Sequence, residues 1–179
     1  MRRIPAAAHS FAVRTRVPAA VLCFVFSSAV ITALAQQKND EGKYVDNKGT
    51  PTYRIATDGT VDWFTYSGYR RYHSDCHVCH GPDGEGSSYA PPLVEAMKTL
   101  TYEQFQEVVI NGKQDVGVGT ANVVMPALGE NANVVCFLDD LYIYLRARAD
   151  GALPRGRPAK HEDKPKEADE HEKACFGQN

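Results

Sequence analysis

Only one stretch of the chain is apolar for long, a single Trp and three Met are present among 179 residues, and no segment repeats. With one apolar run, at the extreme N-terminus, the sequence excludes a polytopic membrane protein. Without self-similarity at a fixed period it is no solenoid or propeller. Charge of one sign is also scarce: 20 basic residues stand against 22 acidic ones for a formal net charge of -2. Phosphate neutralisation needs a basic surface, so a nucleic-acid role is excluded. Glycine and proline, 14 and 10 residues, are too few and too scattered for a fibrous or low-complexity chain. What remains, with 43% hydrophobic and 23% charged residues, is an ordinary globular composition, long enough for one domain with appendages.

The apolar run spans Val17 to Ala33, follows Arg2, Arg3, Arg14 and Arg16, and closes on Ala33-Leu34-Ala35. Basic flank, apolar stretch and small-residue end describe a secretory leader, with cleavage expected after Ala35. Pro18, Ser27, Ser28 and Thr32 interrupt the run, which argues against a retained anchor or a stable membrane insertion. Removing residues 1–35 takes away four Arg and no acid, leaving 16 basic and 22 acidic residues and a formal charge of -6. The expected location is the periplasm.

Of the five cysteines Cys23 leaves with the leader, so Cys76, Cys79, Cys136 and Cys175 remain. Cys76-His77-Val78-Cys79-His80 has the Cys-x-x-Cys-His spacing of a c-type haem attachment. On one helical turn both thiols reach the two vinyl groups while the imidazole of the next residue points at iron. The competing readings lack their companions. A zinc site needs a second ligand pair at suitable spacing, and a thioredoxin-like dithiol needs a βαβ frame. One covalent haem c, with His80 as an axial ligand, is therefore expected.

The sixth ligand decides what such an iron can do. Met97, Met125, His73, His77, His161 and His171 are the candidates. Met97 sits in a helical pattern and reads as core filling. Met125 precedes Pro126 in a stretch without helical period, from Lys113 to Leu128, and is the favoured ligand; His73 and the tail histidines read as surface residues. A Met and His pair closes the iron and raises its potential, as an electron carrier requires. An enzyme or sensor would keep the position open.

Around this motif the pattern is mostly helical. Lys43–Asp46 and Thr52–Ala56 read as a short hairpin across Asn47-Lys48-Gly49-Thr50-Pro51. Asp62 caps a helix carrying Trp63, Phe64, Tyr66, Tyr69 and Tyr72, the aromatic residues being core packing rather than a relay. Residues 81–92 form a shaped loop, Leu93–Lys98 a short helix, and Thr101 to Gln104 a capping box for the next, stopped at Asn111-Gly112. Asn133 caps a last helix with Val134, Phe137 or Leu138, Leu141 and Leu145 inward and Asp139, Asp140, Arg146 and Arg148 outward. From Asp150 to Lys173 polar residues dominate, too few of them apolar to hold a fold alone. His161, Glu162, Asp163 and His171 show no metal-binding spacing, so their charges read as a solvated face.

These residues resemble the class I cytochromes c. Gly68 and Tyr72 stand where the family has its first-helix glycine and aromatic, and Asp140-Leu141-Tyr142-Ile143-Tyr144-Leu145 is similar to the last helix that crosses there. Gly81-Pro82-Asp83-Gly84-Glu85-Gly86, Pro91-Pro92-Leu93 and Met125-Pro126-Ala127-Leu128 resemble the loops on either side of the haem. The resemblance implies that the Pro91 carbonyl, or that of Pro92 as second choice, accepts the proton on the free nitrogen of the ligand His80. A narrower likeness, in the four cysteines, the Val135 to Tyr142 segment and the Gly156 to Pro165 tail, is to methanol-metabolism-related cytochromes akin to cytochrome cL. It implies a PQQ-dependent methanol or alcohol dehydrogenase as donor, one that can be of the lanthanide-dependent kind, and a downstream cytochrome c or terminal oxidase as acceptor.

A bond between Cys136 and Cys175 would tie the polar tail to the last helix. The expected architecture is an all-α, class I cytochrome c fold around one covalent haem, with a short N-terminal β-hairpin and an irregular, disulfide-tethered C-terminal extension. The expected divisions are 1–35 leader, 36–60 N-terminal extension, 61–149 cytochrome domain and 150–179 extension. Function is read as one-electron transfer by a monomer, not enzymatic turnover. The alternatives are a general carrier of another respiratory chain and a haem enzyme or sensor with an open iron.

Overall fold

The structure, a computed structural model, describes residues 36–115 and 123–177. The expected leader and its cleavage point lie outside the described residues, as does the middle of the Lys113 to Leu128 stretch.

Two short strands open the fold, β1 (Gln37–Lys38) and β2 (Tyr44–Val45), paired antiparallel with Gln37 opposite Val45. The expected hairpin across residues 47–51 is reduced to one bridge, Val45 to Pro51, and β2 takes β1 as its partner instead. Pro51 has no N–H to extend a ladder. The turn chemistry itself holds: Asp46 Oδ1 accepts from the backbone N–H groups of Lys48 and Thr50 at 2.8 and 2.9 Å.

Helix α1 (Trp63–Asp75) starts where Asp62 Oδ1 accepts from Thr65 N at 3.0 Å. Asp62 Oδ2 meanwhile accepts from Arg54 N at 2.8 Å, so one buried carboxylate both caps the helix and fastens the N-terminal extension to it. Asp62→Ala orphans both donors and should cost about 2 kcal/mol, read as a lower midpoint in urea unfolding. Beyond α1 come the single turn α2 (His77–His80), a 3₁₀ turn at Pro82–Gly84, and α3 (Leu93–Ala96). Helix α4 (Tyr102–Asn111) carries the full capping box of Thr101 with Gln104 and stops at Gly112, φ +73°.

The stretch after Gly112 differs from the irregular loop expected. Strands β3 (Lys113–Asp115) and β4 (Val123–Met125) pair antiparallel, Lys113 opposite Met125. A Cβ at Gly112 would lie 2.6 Å from the Met125 carbonyl oxygen, so only glycine lets the end of α4 meet the returning strand. Three residues per strand are too few to display an alternating pattern.

The last helical region is broken in two. Asn131, not Asn133, caps α5 (Ala132–Val135), its side chain accepting from Asn133 N at 3.0 Å. Helix α6 (Leu138–Ala149) then starts afresh after Phe137, whose φ and ψ of -127° and 24° interrupt the helix. Helices α1 and α6 cross at Gly68, where an added Cβ would sit 1.9 Å from the Asp140 carbonyl oxygen and 2.7 Å from Tyr144 Cβ. Tyr66, Tyr72, Met97, Phe105, Val109, Leu138, Leu141, Tyr144 and Leu145 form the main core around that crossing.

The C-terminal extension is more ordered than its composition suggested. Lys160 and Glu162 hydrogen-bond the backbone of Val61 on either side of a parallel bridge between Val61 and His161. Helix α7 (Lys166–Cys175) follows, laced by Lys166–Glu170 at 3.0 Å and Lys173–Asp169 at 2.6 Å. Such four-residue charge pairs support a helix that buries only Ala168. Cys175 is bonded to Cys136, with Cα atoms 5.9 Å apart. No helix among the described residues is long and apolar enough to cross a membrane.

Two residues assigned to the wet face of α6 are in fact buried: Asp140 is 4% exposed and Arg148 9%. Burial pushes the Asp140 carboxyl up to about 7, against the pull of the buried Lys43 ammonium and a hydrogen bond from Ser67. Lys43 loses hydration too, yet Asp139 and Asp140 outweigh that and hold its ammonium above the usual lysine range. Because the folded form holds the Asp140 proton more tightly than the unfolded chain, the stability that this group contributes is full below the ordinary carboxylate range and is lost as pH rises through about 7. Asp140→Asn should remove this group's pH dependence, checked as a flatter change of the urea midpoint between pH 4 and pH 8 than in the wild type.

Candidate functional site

The five residues Cys76 to His80 sit where α1 ends and one further turn of helix is added. Cys76 N bonds Tyr72 O at 2.9 Å, and His80 N returns to Cys76 O at 3.0 Å. Cys76, Cys79 and His80 therefore share a single turn, and neither thiol is in a disulfide. Burial, with Asp75 adding to it, pushes the Cys76 thiol up to about 12. A disulfide-exchanging cysteine needs the opposite, a lowered value.

The chain then doubles back on itself. Gly81 at φ +70° leaves no room for a side chain, since a Cβ would meet the Gly86 carbonyl oxygen at 2.1 Å. Gly86 N closes the loop onto His80 O at 2.8 Å, and Tyr72 donates its hydroxyl to the Gly81 carbonyl at 2.6 Å. The returning strand of the loop brings the Pro91 carbonyl to 3.1 Å from His80 Nδ1. A carbonyl only accepts, so Nδ1 carries the proton and the lone pair of the imidazole is at Nε2. His80 itself is buried, 8% exposed. An oriented imidazole that spends Nδ1–H on a carbonyl and leaves Nε2 to ligate, on the same turn as two free thiols, fits covalent haem with histidine ligation. Met125 ends β4 and is half-buried against the main core, which Cys76 also borders.

A network unseen in the sequence holds this loop in place. Asp83, the one described non-glycine with positive φ at 59°, is buried, and its Oδ1 accepts from Tyr144 OH at 3.3 Å and from Gly156 N at 3.1 Å. Arg148 donates to the carbonyls of Asp83 and Leu153 at 3.3 and 2.5 Å and pairs with Glu85 at 2.7 Å. One guanidinium thus joins the loop after His80 to the extension. Only the position of Asp83, in a turn between two glycines, hints at this from sequence.

The remaining candidates fall elsewhere. Met97 is fully buried in the core. His73 is half-buried, bonded through Nδ1 to Tyr69 O at 2.9 Å and 3.6 Å from Asp83. His161 lies flat on the Tyr66 ring with centroids 3.7 Å apart, and Trp63, Tyr66 and Tyr69 pack along α1. His171 faces the Cys136 carbonyl at 3.1 Å. Among the described residues no group of three or more His, Cys, Asp or Glu is placed to hold a metal ion. Asp75 Oδ2, next to Cys76, is a buried oxygen with no hydrogen-bond partner.

The family profile described as "Cytochrome C oxidase, cbb3-type, subunit III" matches residues 65–137, from the start of α1 to just before α6. Cytochrome c-555 of Methylococcus capsulatus is 38% identical over 106 residues, 59% of this chain and 79% of that one. The chain belongs to the class I c-type cytochromes, whose cofactor is covalently bound c-type haem. Within the family it is 54% identical to cytochrome c-553I of Paracoccus denitrificans over 137 residues, which is 76% of this chain but only 60% of that relative's length. The crystal structure of the c-type cytochrome XoxG from Methylobacterium extorquens AM1 superimposes with a TM-score of 0.71 at 55% identity, over 78% of this chain and 85% of that one.

Proposed function

We propose that this protein is a periplasmic one-electron carrier with a single haem c. Cys76 and Cys79 would hold the haem and His80 and Met125 would ligate its iron, with residues 61–149 as the haem domain and 150–179 as its tethered extension. The observation that carries the reading is the His80 imidazole, fixed by the Pro91 carbonyl so that Nε2 is its only ligating nitrogen. When bound, the haem supplies a one-electron couple at iron, and a Met and His ligand pair favours the reduced state. The chain's own part is to hold that couple in nearly one geometry. Pro91 keeps the imidazole oriented, and Tyr72 and Arg148 tie down the loop beside it.

The donor in this reading is a PQQ-dependent methanol or alcohol dehydrogenase, supported by the likeness to XoxG. The acceptor is a downstream cytochrome or oxidase. A reduced quinone cofactor yields two electrons, so each turnover needs two encounters with a single-haem carrier, and the complex must be short-lived.

The test is the absorption spectrum of the holoprotein. The ferric wild type should be low-spin with the weak far-red band of methionine ligation, and Met125→Ala should lose that band, become high-spin and, once reduced, bind carbon monoxide. A wild type that is already high-spin would overturn Met125 as ligand and turn attention to enzyme or sensor chemistry. Stopped-flow mixing with a purified PQQ dehydrogenase then tests the donor.

A further inference from the structure

The N-terminal extension, the start of α4 and the second half of α6 enclose a groove of about 560 Å³, a volume typical of small-molecule sites. No residue lining it belongs to the Cys76 to His80 turn, to the loop that follows, or to β4. Tyr53, Tyr102 and Tyr142 supply its rings. Three carboxylates, Asp46, Glu103 and Asp150, share it with two cations, Lys48 and Arg146.

Most of these polar groups are already spent within the fold. Tyr53 donates its hydroxyl to Asp150 Oδ2 at 3.2 Å, and Arg146 pairs with Asp150 Oδ1 at 3.1 Å while also donating to the Met97 carbonyl. Tyr102 donates to Asp139 and accepts from Gln106 at 2.8 Å. Tyr142 is different. It is 6% exposed, yet its hydroxyl has no hydrogen-bond partner among the described residues. Nor is that oxygen sealed in, since the buried side-chain oxygen without a partner is on Asp75, so the Tyr142 hydroxyl opens on the groove its side chain lines. An otherwise buried hydroxyl in that position is satisfied by what the groove holds. Burial pushes this hydroxyl above its usual range; Arg146 opposes the rise and Asp46, Glu103 and Asp150 add to it.

Two carboxylates are also left over. Asp46 spends Oδ1 on the backbone N–H groups of Lys48 and Thr50. Hydrogen bonds from its own backbone N–H and from Thr101 hold the Glu103 carboxyl below its usual value. Neither carboxylate forms an ion pair with a basic side chain among the described residues. With Asp150 neutralised by Arg146, two carboxylates face the single ammonium of Lys48, and the lining is net acidic. No group of three His, Cys, Asp or Glu among the described residues converges on a point as a metal ion would need. Carboxylates spread around tyrosine rings suit a larger, weakly hydrated cation instead.

We propose that this groove binds a small organic ammonium ion carrying a hydroxyl, its charge met by Asp46, Glu103 and the tyrosine rings and its hydroxyl by Tyr142. The site is separate from the electron-carrier reading and stands or falls without it.

The experiment titrates the holoprotein with choline chloride and follows the tyrosine-ring NMR shifts. Choline has no nitrogen lone pair and cannot ligate iron, so the haem spectrum should stay constant throughout. Shifts of Tyr53, Tyr102 and Tyr142 should saturate in the millimolar range. Dimethylbutanol, the neutral carbon isostere of choline, should bind about tenfold more weakly, and sodium chloride should not reproduce the shifts. Glu103→Gln and Asp46→Asn should each weaken choline about threefold, whereas Lys48→Gln should tighten it by about the same factor. Tyr142→Phe should weaken choline about fivefold and leave tetramethylammonium, which has no hydroxyl, unchanged. Equal binding of the neutral isostere overturns the proposal, as do shifts that sodium chloride reproduces. Choline affinity unaltered in Glu103→Gln and Asp46→Asn, or in Tyr142→Phe, overturns it too. A haem spectrum that changes with choline places the ion elsewhere and overturns it as well.

Discussion

Gly68→Ala is expected to destabilise the protein by about 3 kcal/mol or more, the largest effect of any single methyl added to it. The new Cβ would stand 1.9 Å from the Asp140 carbonyl oxygen, 2.6 Å from its carbon and 2.7 Å from Tyr144 Cβ. None of these is the end of a flexible side chain, so the only relief is to separate α1 from α6. That separation would also displace Asp140 from Ser67 and Lys43, and would pull the Tyr144 hydroxyl from Asp83, 3.3 Å away in the loop after His80. The damage should therefore be visible twice. Urea unfolding of Gly68→Ala should show a lower midpoint with an unchanged slope, and the His80 loop should exchange its amides faster. A midpoint within about 0.5 kcal/mol of wild type would mean that the crossing is looser than its packing indicates.

How legible this was depends on the distance over which each interaction acts. The Asp62 cap, the Thr101 capping box and the Gly112 stop need only neighbours a few residues away, and their residue types announce them. The Cys76 to His80 turn is local in the same way. Asp140 and Arg148 were misplaced for the opposite reason. Their positions on α6 alternate plausibly with solvent, but Asp140 is covered by Lys43 from the N-terminal extension and Arg148 by residues 83 to 85 and 153. Those partners lie far off in sequence and no helical period can reveal them. Helix α7 was hidden differently, because its amphipathic signal is a single buried Ala168 among charges, and what orders it lies in α1 and α5 to α6: Arg71 pairs with Glu172 at 3.3 Å and lies 3.5 Å above the Phe137 ring. The β3–β4 pair was missed since three-residue strands carry too little pattern. Of the site, Met125 could be chosen over Met97 because Met97 fits a helical core pattern, and the structure does bury Met97.

Loss of the bond between Cys136 and Cys175 is the second large effect expected. The two cysteines are 39 residues apart, and on the chain-entropy model closing a loop of that length stabilises by about 4 kcal/mol. The Cys136→Ser, Cys175→Ser double variant should therefore melt roughly 10 °C lower than wild type. What comes loose is not only the end of the chain. Helix α7 holds Glu172 against Arg71 of α1 and His171 against Glu41 at 3.3 Å and the Cys136 carbonyl at 3.1 Å, so it clamps α1 and the N-terminal extension from outside. The bridge of Val61 to His161 and the Gly156 bond to Asp83 lie upstream of α7 and keep their own hydrogen bonds. Limited proteolysis of the double variant should accordingly cut first between residues 164 and 177, while the haem spectrum of the trimmed protein stays that of the wild type. If the spectrum shifts when α7 is released, the clamp reaches the iron through α1, and the extension belongs to the haem environment rather than to the stability of the shell.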